Sequence, residues 1–279
     1  MKYEIGGAKL YLGNCVNALN VLNEESIDLI VTSPPYDKLR NYEKTCVWDF
    51  NVFRTSAQIL TRLLKDAGVL VWIIGDSIVD GSESANSFRQ ALYFVNECDL
   101  KLWDTMIYRK INPTPSTRNG LCYQQCFEYM FVFCKGDRPA TINILTEPRS
   151  NLCGDKRKFR MMKRQRTVNG NFDATHPYYV KEIVPRKNIW EYKVGLYNTT
   201  NDKEAFEHPA VMPEKLAEDH ILSWSKEGDF VLDPFCGSGT VGKMAVRHGR
   251  KFIGIDVVLK YLEIAKTRIW AEYDNPKFL

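Results

Sequence analysis

A turn near the amino end carries residue types that could position a substrate. The apolar run Ile27–Val31 predicts a buried strand, and Ser33, Pro34, Pro35 and Tyr36 follow closely behind it. Proline donates no hydrogen bond and pushes the preceding residue towards extended geometry, so the pair predicts a stiff, non-helical turn. That turn presents free carbonyls, a hydroxyl and an aromatic ring side by side. A double-proline turn is also a common turn signal, so its meaning depends on what lies beside it.

A segment near the carboxyl end combines carboxylates with glycines. Residues 230–240, FVLDPFCGSGT, predict a strand, a tight glycine turn and the start of a helix. Glycines let the backbone approach a ligand closely, and a helix amino terminus favours an anionic group. Asp256 follows the next strand, 17 residues after Gly239, where an acidic side chain can accept both hydroxyls of a ribose. Asp233 and Asp256 therefore indicate a nucleoside ligand.

The same glycines match the dinucleotide pattern G-x-G-x-x-G at residues 237–242. A single match of this kind is weak evidence. A nicotinamide enzyme needs roughly a hundred further residues to complete its doubly wound sheet, and only about forty remain after Gly239. Strands from the amino-terminal part must complete the sheet, which predicts a circularly permuted arrangement.

Strands and helices alternate along the chain and must carry both segments. Apolar runs predict strands at 27–31, 69–74, 103–108, 127–134, 230–232 and 252–255. Helices are predicted at 56–65 with an end at Gly68, from Pro213, at 241–248 with an end at Gly249, and at 261–270. The spacing of Phe88, Ala91, Leu92 and Val95 predicts an apolar helix face. Continuous apolar strands separated by helices predict an α/β fold with a mostly parallel sheet covered on both faces.

Between about residues 146 and 187 this periodicity fails, and a basic segment replaces it. The run 156–166 carries seven positive charges and no negative one. Such a run forms either a solvated loop or a segment that contacts phosphates. We expect the whole stretch to be an insertion or a recognition lobe.

Composition restricts the class of protein further. A chain of 279 residues suits one large domain, with or without an insertion. The longest apolar run, Val69–Ile74, is far too short to span a bilayer, and no apolar signal segment follows Met1, so a cytoplasmic location without membrane attachment is expected. The eight cysteines have no paired C-x-x-C spacing, which predicts scattered thiols rather than a disulfide framework or a metal site.

The order of these motifs resembles the permuted, or beta, class of amino-methylating DNA methyltransferases. TSPPY at 32–36 and DPFCGSGT at 233–240 carry the resemblance, with support from the segments 110–113, 208–216 and 252–256. It covers roughly residues 10–268 apart from the basic lobe. It implies a Rossmann-like methyltransferase sheet with helices on both faces, circularly permuted, with a small inserted target-recognition lobe. The implied division is a catalytic part at 1–145, the lobe at 146–187 and a cofactor-binding part at 188–279.

The cofactor implied by the resemblance is S-adenosylmethionine. Asn14 stands where the family commonly has aspartate close to the adenine, and Asp256 would hold the ribose. The full set of implied cofactor-binding residues is Asn14, Thr32, Asp233, Phe235, Cys236, Gly237, Ser238, Gly239, Thr240 and Asp256.

The implied catalytic residues are Ser33, Pro34, Pro35 and Tyr36. Serine at the first of these positions is associated in the family with methylation of the cytosine N4 amine, and aspartate with adenine N6. We therefore expect a DNA (cytosine-N4)-methyltransferase that flips its target base out of the duplex. The same reaction on adenine N6 is the near alternative, and methylation of an RNA or protein amine is a more distant one. A nucleic-acid-binding module without catalysis is a further reading.

Double-stranded DNA is the expected partner of the basic lobe. Its cationic side chains would contact phosphates, which position DNA without reading its sequence; they are Lys156, Arg157, Lys158, Arg160, Lys163, Arg164 and Arg166. The resemblance leaves two alternatives open, a cognate restriction endonuclease as a partner or a solitary enzyme. It implies a prokaryotic or phage setting, and the enzyme would be a monomer or a homodimer. All of these expectations require the turns near residues 34 and 238 to meet on adjacent strands.

Overall fold

The computed structural model describes residues 2–35, 48–79, 81–113, 123–148, 160–166, 172–179 and 183–274. The strands within this part are β1 Lys2–Ile5, β2 Ala8–Leu12, β3 Ile27–Thr32, β4 Leu64–Ile74, β5 Ile78–Val79, β6 Ser82–Glu83, β7 Lys101–Lys110, β8 Phe127–Cys134, β9 Thr146–Pro148, β10 Arg160–Arg166, β11 Phe172–Tyr179, β12 Ile183–Pro185, β13 Ile189–Tyr192, β14 Phe230–Asp233 and β15 Lys251–Asp256. The helices are α1 Cys15–Leu19, α2 Phe50–Leu63, α3 Asn86–Asn96, α4 Glu214–Trp224, α5 Thr240–Arg247 and α6 Leu259–Asp274, with a short 3-10 helix at Lys203–Glu207.

Nine strands form the central sheet, in the order β1-β2-β15-β14-β3-β4-β8-β7-β13. Helix α2 connects β3 to its parallel neighbour β4, and α5 connects β14 to its parallel neighbour β15. Strand β14 also lies parallel to β3, where Leu232 pairs with Ile30. The carboxyl-terminal strands therefore complete the sheet that the amino-terminal strands begin, as the permuted order predicts.

Strand β8 runs antiparallel to both of its neighbours, β4 and β7. The prediction of a mostly parallel sheet is confirmed, since five of the eight neighbouring pairs in this sheet are parallel, although β1–β2 and the two pairs of β8 are antiparallel. A nearly continuous apolar run such as 127–134 indicates a strand with both faces buried, and it says nothing about direction.

The core lies on both faces of the sheet. Side chains of alternate strand residues, such as Ile30 and Trp72, pack with Phe53 of α2, and the Phe53 and Trp72 rings lie 5.8 Å apart. Leu29 and Val31 point to the opposite face and are fully buried too. Helices α1 to α3 contact one another in sequence, as do α4 to α6, so each face has its own layer of helices.

Two predicted helix features are wrong in detail. Helix α2 ends at Leu63 because Leu64 is already extended and enters β4, so Gly68 lies inside a strand rather than at a helix end. Helix α3 exists, but the predicted apolar face is largely turned outwards: Phe88 is 48% and Leu92 59% exposed. The buried face instead carries Phe94, whose ring lies 5.1 Å from that of Trp72, and Gln90, which accepts a hydrogen bond from Trp72 Nε1 at 2.8 Å.

Residues 144–187 form a compact unit of their own, separate from the unit of residues 1–143 and 188–279. Within it, β10 pairs antiparallel with β11, and β12 pairs antiparallel with β9. The role of this unit as a recognition lobe stays a prediction. Across the described residues of both units, no helix combines the length and the apolar character that crossing a membrane requires.

Candidate active site

The ends of two central strands bring the proline turn and the glycine turn together. Thr32 ends β3 and Asp233 ends β14. The Thr32 hydroxyl donates a hydrogen bond of 2.7 Å to Asp233 Oδ1, across 201 positions of sequence. Both side chains are buried. The predicted meeting of the two motifs on adjacent strands is therefore confirmed.

A large cavity of about 1440 Å³ opens in front of these strand ends, and all its lining residues belong to the unit of residues 1–143 and 188–279. One part of its wall is the proline turn with Trp48 and the ends of β7 and β8. The other part is the glycine turn, the end of β15 and the segment before α4. The predicted site residues that line it are Asn14, Ser33, Pro34, Pro35, Asp233, Phe235, Cys236, Gly237, Ser238, Thr240 and Asp256.

The pKa of the buried Asp233 carboxyl group lies well above its ordinary value. Its Oδ1 accepts from the Phe235 backbone N–H at 3.1 Å as well as from Thr32. Burial raises the pKa of Asp233 to about 7: the two hydrogen bonds oppose this shift without cancelling it, and the nearby Asp256 charge adds to it. The group therefore changes its charge near neutral pH.

Asp256 fixes the shape of the glycine turn. Gly237 N–H donates to Asp256 Oδ2 and Val258 N–H donates to Oδ1, both at 2.8 Å. Burial raises the pKa of Asp256, and these backbone donors oppose the shift. A carboxylate oxygen has two acceptor sites, so both oxygens retain capacity for a ligand hydroxyl.

Two glycines are required at this turn for different reasons. Gly237 has φ +48°, and a Cβ there would lie 2.8 Å from Nε2 of His208. Gly239 has φ +77°, and a Cβ would lie 2.6 Å from the Cβ of Ala265 on α6. Gly239 is absent from the described cavity wall, and its missing side chain lets α6 approach the turn; its contact with a cofactor stays a prediction.

Aromatic rings form the floor between the two turns. Phe235 meets Trp48 edge to face at 4.9 Å and Trp72 at 6.4 Å. Tyr261 packs against His208 at 4.4 Å, and both residues line the cavity. Such rings suit a flat or cationic ligand.

Cys236 contributes its backbone and not its thiol. Its N–H donates to Ile255 O at 2.9 Å, which ties the turn to β15. Burial raises the pKa of the Cys236 thiol well above its ordinary value. The neutral thiol is a poor nucleophile, so the site does not suit covalent catalysis by cysteine.

The far side of the cavity carries an ion pair. Lys110, at the end of β7, pairs with Glu128 near the start of β8, and both line the cavity. Burial and the nearby Glu128 carboxylate raise the pKa of Tyr108, which also lines the wall. Asn112 holds the chain beyond β13 by donating to Val194 O and accepting from Val194 N–H, each at 2.7 Å.

Some predicted residues have roles other than those expected. Thr32 lies behind the described cavity wall and positions Asp233. The Asn14 side chain accepts from Val16 N–H at 2.9 Å and caps α1, although it also lines the cavity.

Tyr36 and the basic residues Lys156, Arg157 and Lys158 lie outside the described residues. Arg160, Lys163, Arg164 and Arg166 belong to β10, in the smaller unit.

Sequence reasoning missed Trp48 and His208 as site residues. Trp48 precedes Asp49, whose side chain accepts from two N–H groups at the start of α2; this capping signal places Trp48 at a helix entrance but not in a cavity. His208 is readable only as part of the HPxxxP segment, because its contact with Gly237 crosses about thirty positions of sequence.

Comparison with known proteins decides the family. Residues 27–267 match the model of the N6/N4 methyltransferase family, described as DNA methylase. The chain belongs to this family. It is therefore a DNA amino-methyltransferase of the group that modifies cytosine N4 or adenine N6.

Individual members agree with this family over most of the chain. The orphan methyltransferase M.BamHII of Bacillus amyloliquefaciens is 48% identical over 245 residues, 88% of this chain and 89% of the relative. The structure of the PvuII DNA methyltransferase, described as cytosine-N4-specific, is similar with a TM-score of 0.68 at 19% identity, covering 99% of this chain and 95% of that one. M1.HpyAVI in complex with SAM gives a TM-score of 0.61 at 22% identity, over 94% of this chain and 98% of that one. At these identities the two structures show the shared Rossmann-like α/β fold.

Proposed function

We propose that this methyltransferase transfers a methyl group from S-adenosylmethionine to the N4 amine of a cytosine flipped out of duplex DNA. The observation that carries the proposal is the hydrogen bond between Thr32 and Asp233, because it holds the Ser33–Pro35 turn and the glycine turn at one cavity. One turn suits a target amine and the other suits a nucleoside cofactor.

The residues around the glycine turn fit S-adenosylmethionine. Asp256 offers carboxylate oxygens to the ribose hydroxyls, and Phe235 with Trp48 offers ring faces to a cationic sulfur centre. The Asp233 carboxylate adds a buried negative charge on the same side. When bound, this cofactor supplies an electrophilic methyl group on sulfur.

The Ser33–Pro35 turn would hold the nucleophile. An exocyclic amine of a base is a weak nucleophile because its lone pair is delocalised into the ring. The Ser33 hydroxyl oxygen and the Pro34 carbonyl oxygen would each accept a hydrogen bond from one N–H group of the amine. This arrangement favours a tetrahedral nitrogen whose lone pair is free to attack the methyl group. The prolines fix both acceptors in place, and Tyr36 is proposed to stack on the base.

Proton transfer follows methyl transfer in this proposal. A carbon–nitrogen bond forms as the carbon–sulfur bond breaks, and the nitrogen becomes positively charged. Its acidity is then high, so one proton would pass to water without a strong base, either directly or through the Ser33 hydroxyl, which would give its own proton to water as it accepts one. The site depends mainly on positioning.

The cytosine assignment rests on Ser33, the residue that begins the SPPY tetrapeptide. The N6 amine of adenine could donate to the same two acceptors, so the experiment must first distinguish methylated cytosine from methylated adenine. We further propose that residues 146–187 contact DNA, with the seven basic side chains of 156–166 directed to phosphates.

Mass spectrometry of modified nucleosides tests the proposal. The purified chain would be incubated with unmethylated genomic DNA and S-adenosylmethionine, the DNA hydrolysed, and the nucleosides separated. N4-methylcytosine is expected, and Ser33→Ala should lower its yield while cofactor affinity stays within about threefold.

Other products would reject defined parts of the proposal. N6-methyladenine alone would replace the cytosine assignment with the adenine one. Labelling of RNA or protein with none of duplex DNA would reject DNA as the substrate of this chain.

A further inference from the structure

A buried network of charged side chains lies behind the glycine turn. Arg268 on α6 and Lys243 on α5 are only 3% and 6% exposed. Their carboxylate partners are Asp202, in the loop before the 3-10 helix, and Glu214 at the start of α4. Both cations pair with both of these anions, and Lys243 also lies 3.7 Å from Glu272 of α6, in a part of the molecule where unpaired charges are costly.

Arg268 joins this network directly to the glycine turn. Its Nη1 donates to Ser238 O at 2.6 Å and to Thr240 Oγ1 at 3.1 Å. The same guanidinium donates through Nε to Asp202 at 2.7 Å and through Nη2 to Glu214 at 2.9 Å. A planar guanidinium with several fixed donors suits acceptors in three segments at once.

The network also holds the wall that faces the turn. Glu214 N–H donates to Thr199 O at 2.9 Å, and Thr200 Oγ1 donates to Glu214 at 2.6 Å. Thr199 and the residues 208–213 line the cavity. Asp202 and Glu214 therefore hold the two ends of segment 202–214, which contains the wall residues 208–213; we call it the wall segment.

Within the part of the chain that the structure describes, the charged members of this network lie outside the cavity wall. Arg268, Lys243, Asp202 and Glu214 are absent from it, whereas Ser238 and Thr240 belong to it. Burial alone would raise the pKa of Asp202, yet Arg268 and Lys243 outweigh burial and hold it below its ordinary value. The carboxylate therefore stays ionised with its partners.

We propose that Arg268 is a positioning residue that sets cofactor affinity without touching the cofactor. It fixes the Ser238 carbonyl and Thr240 hydroxyl on one side and, through Asp202 and Glu214, the wall segment on the other. The distance between turn and wall is thus set before the cofactor arrives, which reduces the ordering cost of binding. This inference rests on the proposed cofactor site.

Arg247 on α5 provides a matched control. It pairs with Glu272 of α6, so it joins the same two helices through a largely buried arginine–carboxylate contact. Its other contact is Met244 Sδ at 3.6 Å, and it lies outside the described cavity wall. Its partner Glu272 also lies 3.7 Å from Lys243, but Arg247→Lys keeps a positive charge beside Glu272 and leaves Arg268, Asp202 and Glu214 in place. Arg247→Lys should therefore affect stability without changing cofactor affinity.

The test compares Arg268→Lys and Asp202→Asn with Arg247→Lys. Titration calorimetry would give the Kd of S-adenosylmethionine, thermal unfolding would give Tm, and methyl transfer at saturating cofactor would give kcat. We expect all three variants to lower Tm, and we expect Arg268→Lys and Asp202→Asn to raise the Kd about tenfold or more. Their kcat at saturating cofactor should stay within about threefold of the wild type.

The measured Kd and Tm values decide between a positioning role and a purely structural role for the network. If Arg268→Lys does not fold, Asp202→Asn carries the comparison, because it keeps the side-chain shape. A Kd as in the wild type for the folded network variants, with Tm lowered as in the control, would overturn the inference and leave a purely structural network. Asp233→Asn separates the two proposals: if it weakens cofactor binding while the network variants do not, only this inference fails. An unchanged Kd in Asp233→Asn as well would reject the cofactor site itself.

Discussion

Thr32 and Asp233 share a hydrogen bond of 2.7 Å although 201 positions of sequence separate them. Each residue ends a strand of the central sheet, and the two strands are parallel neighbours. The bond therefore fixes the relative position of the proline turn, which begins at the next residue after Thr32, and the glycine turn, which begins shortly after Asp233. A permuted chain needs such a contact, because no short connection joins these two strands.

Replacing Thr32 by valine should weaken this junction. Valine keeps the β-branched shape but leaves a buried acceptor of Asp233 without one donor, so the free energy of unfolding should fall by about 1–3 kcal/mol. Cofactor affinity should fall as well, because the lost donor normally favours the ionised form of Asp233. Chemical denaturation and calorimetry measure the two effects. Thr61→Val is the control, since Thr61 donates to Ala57 O of its own helix at 2.9 Å, hydrogen-bonds the Cys98 side chain and lies outside the described cavity wall; an equal effect on cofactor affinity there would contradict the account.

The ionisation of Asp233 predicts a pH dependence of stability. Its pKa of about 7 in the folded chain lies above the ordinary value of 3.8, so the folded state binds more protons between those values. Stability from this group is present at low pH and is lost as pH rises through 7, by at most about 1.4 kcal/mol per pH unit. Subtracting the unfolding free energy of Asp233→Asn at each pH isolates this contribution. A difference that stays flat from pH 4 to pH 8 would show that the carboxyl is not perturbed.

The same group should make cofactor binding depend on pH. A cationic cofactor favours the ionised carboxylate, so binding releases a proton where Asp233 is still protonated. Affinity should rise with pH up to about 7 and then level off, whereas Asp233→Asn should show no such step. Calorimetry in buffers of different ionisation enthalpy would count the released protons. Proton release of equal size in both proteins would assign the effect to another group.

Gly239→Ala should destabilise the protein by about 2–4 kcal/mol, because it combines a strained φ with a clash. The added Cβ would meet Ala265 at 2.6 Å, which forces α6 away from the turn. Gly228→Ala is the control: Gly228 has a similar φ of +85°, but nothing lies within 4 Å of an added Cβ. Thermal unfolding of the two variants separates strain from packing, and equal losses of Tm would exclude the packing role.

Lys110→Met tests the far side of the cavity. We expect the ammonium group to donate to a ring acceptor of the flipped base, so methyl transfer should slow about tenfold with cofactor affinity unchanged. The neighbouring Arg109 pairs with Glu191 and lies outside the described cavity wall, so Arg109→Met should transfer methyl groups at close to the wild-type rate. The comparison uses single-turnover rates on one DNA substrate, and equal rates for both variants would remove Lys110 from the site.

Much of the fold was predictable because local signals agree with burial. Apolar runs place β8 and β14 almost to the residue, and Gly249 follows the end of α5 as expected. The end of α2 was missed because Leu64 is as apolar as the helix before it, and only its extended backbone begins the strand. The outward turn of Phe88 and Leu92 was missed because the buried face of α3 combines apolar Phe94 with polar Gln90, a mixture that an apolar pattern does not single out.

The residues of the site likewise fall into those that the sequence reveals and those that only the structure reveals. Motif residues such as Ser33 and Asp256 are predictable, since their chemistry and order are both visible in the sequence. Trp48 and Arg268 are not, because their roles arise from contacts with distant positions. The close approach of Ala265 to Gly239 was not predictable either, since a glycine pattern does not say which neighbour requires the missing side chain.

A crystal structure of the chain with bound S-adenosylmethionine would test the shared cavity most directly. The account predicts the ribose hydroxyls on Asp256, the sulfur centre beside Phe235, and the methyl group directed at the Ser33–Pro35 turn. A cofactor bound elsewhere, or bound in this cavity with its methyl group facing away from that turn, would contradict the central claim.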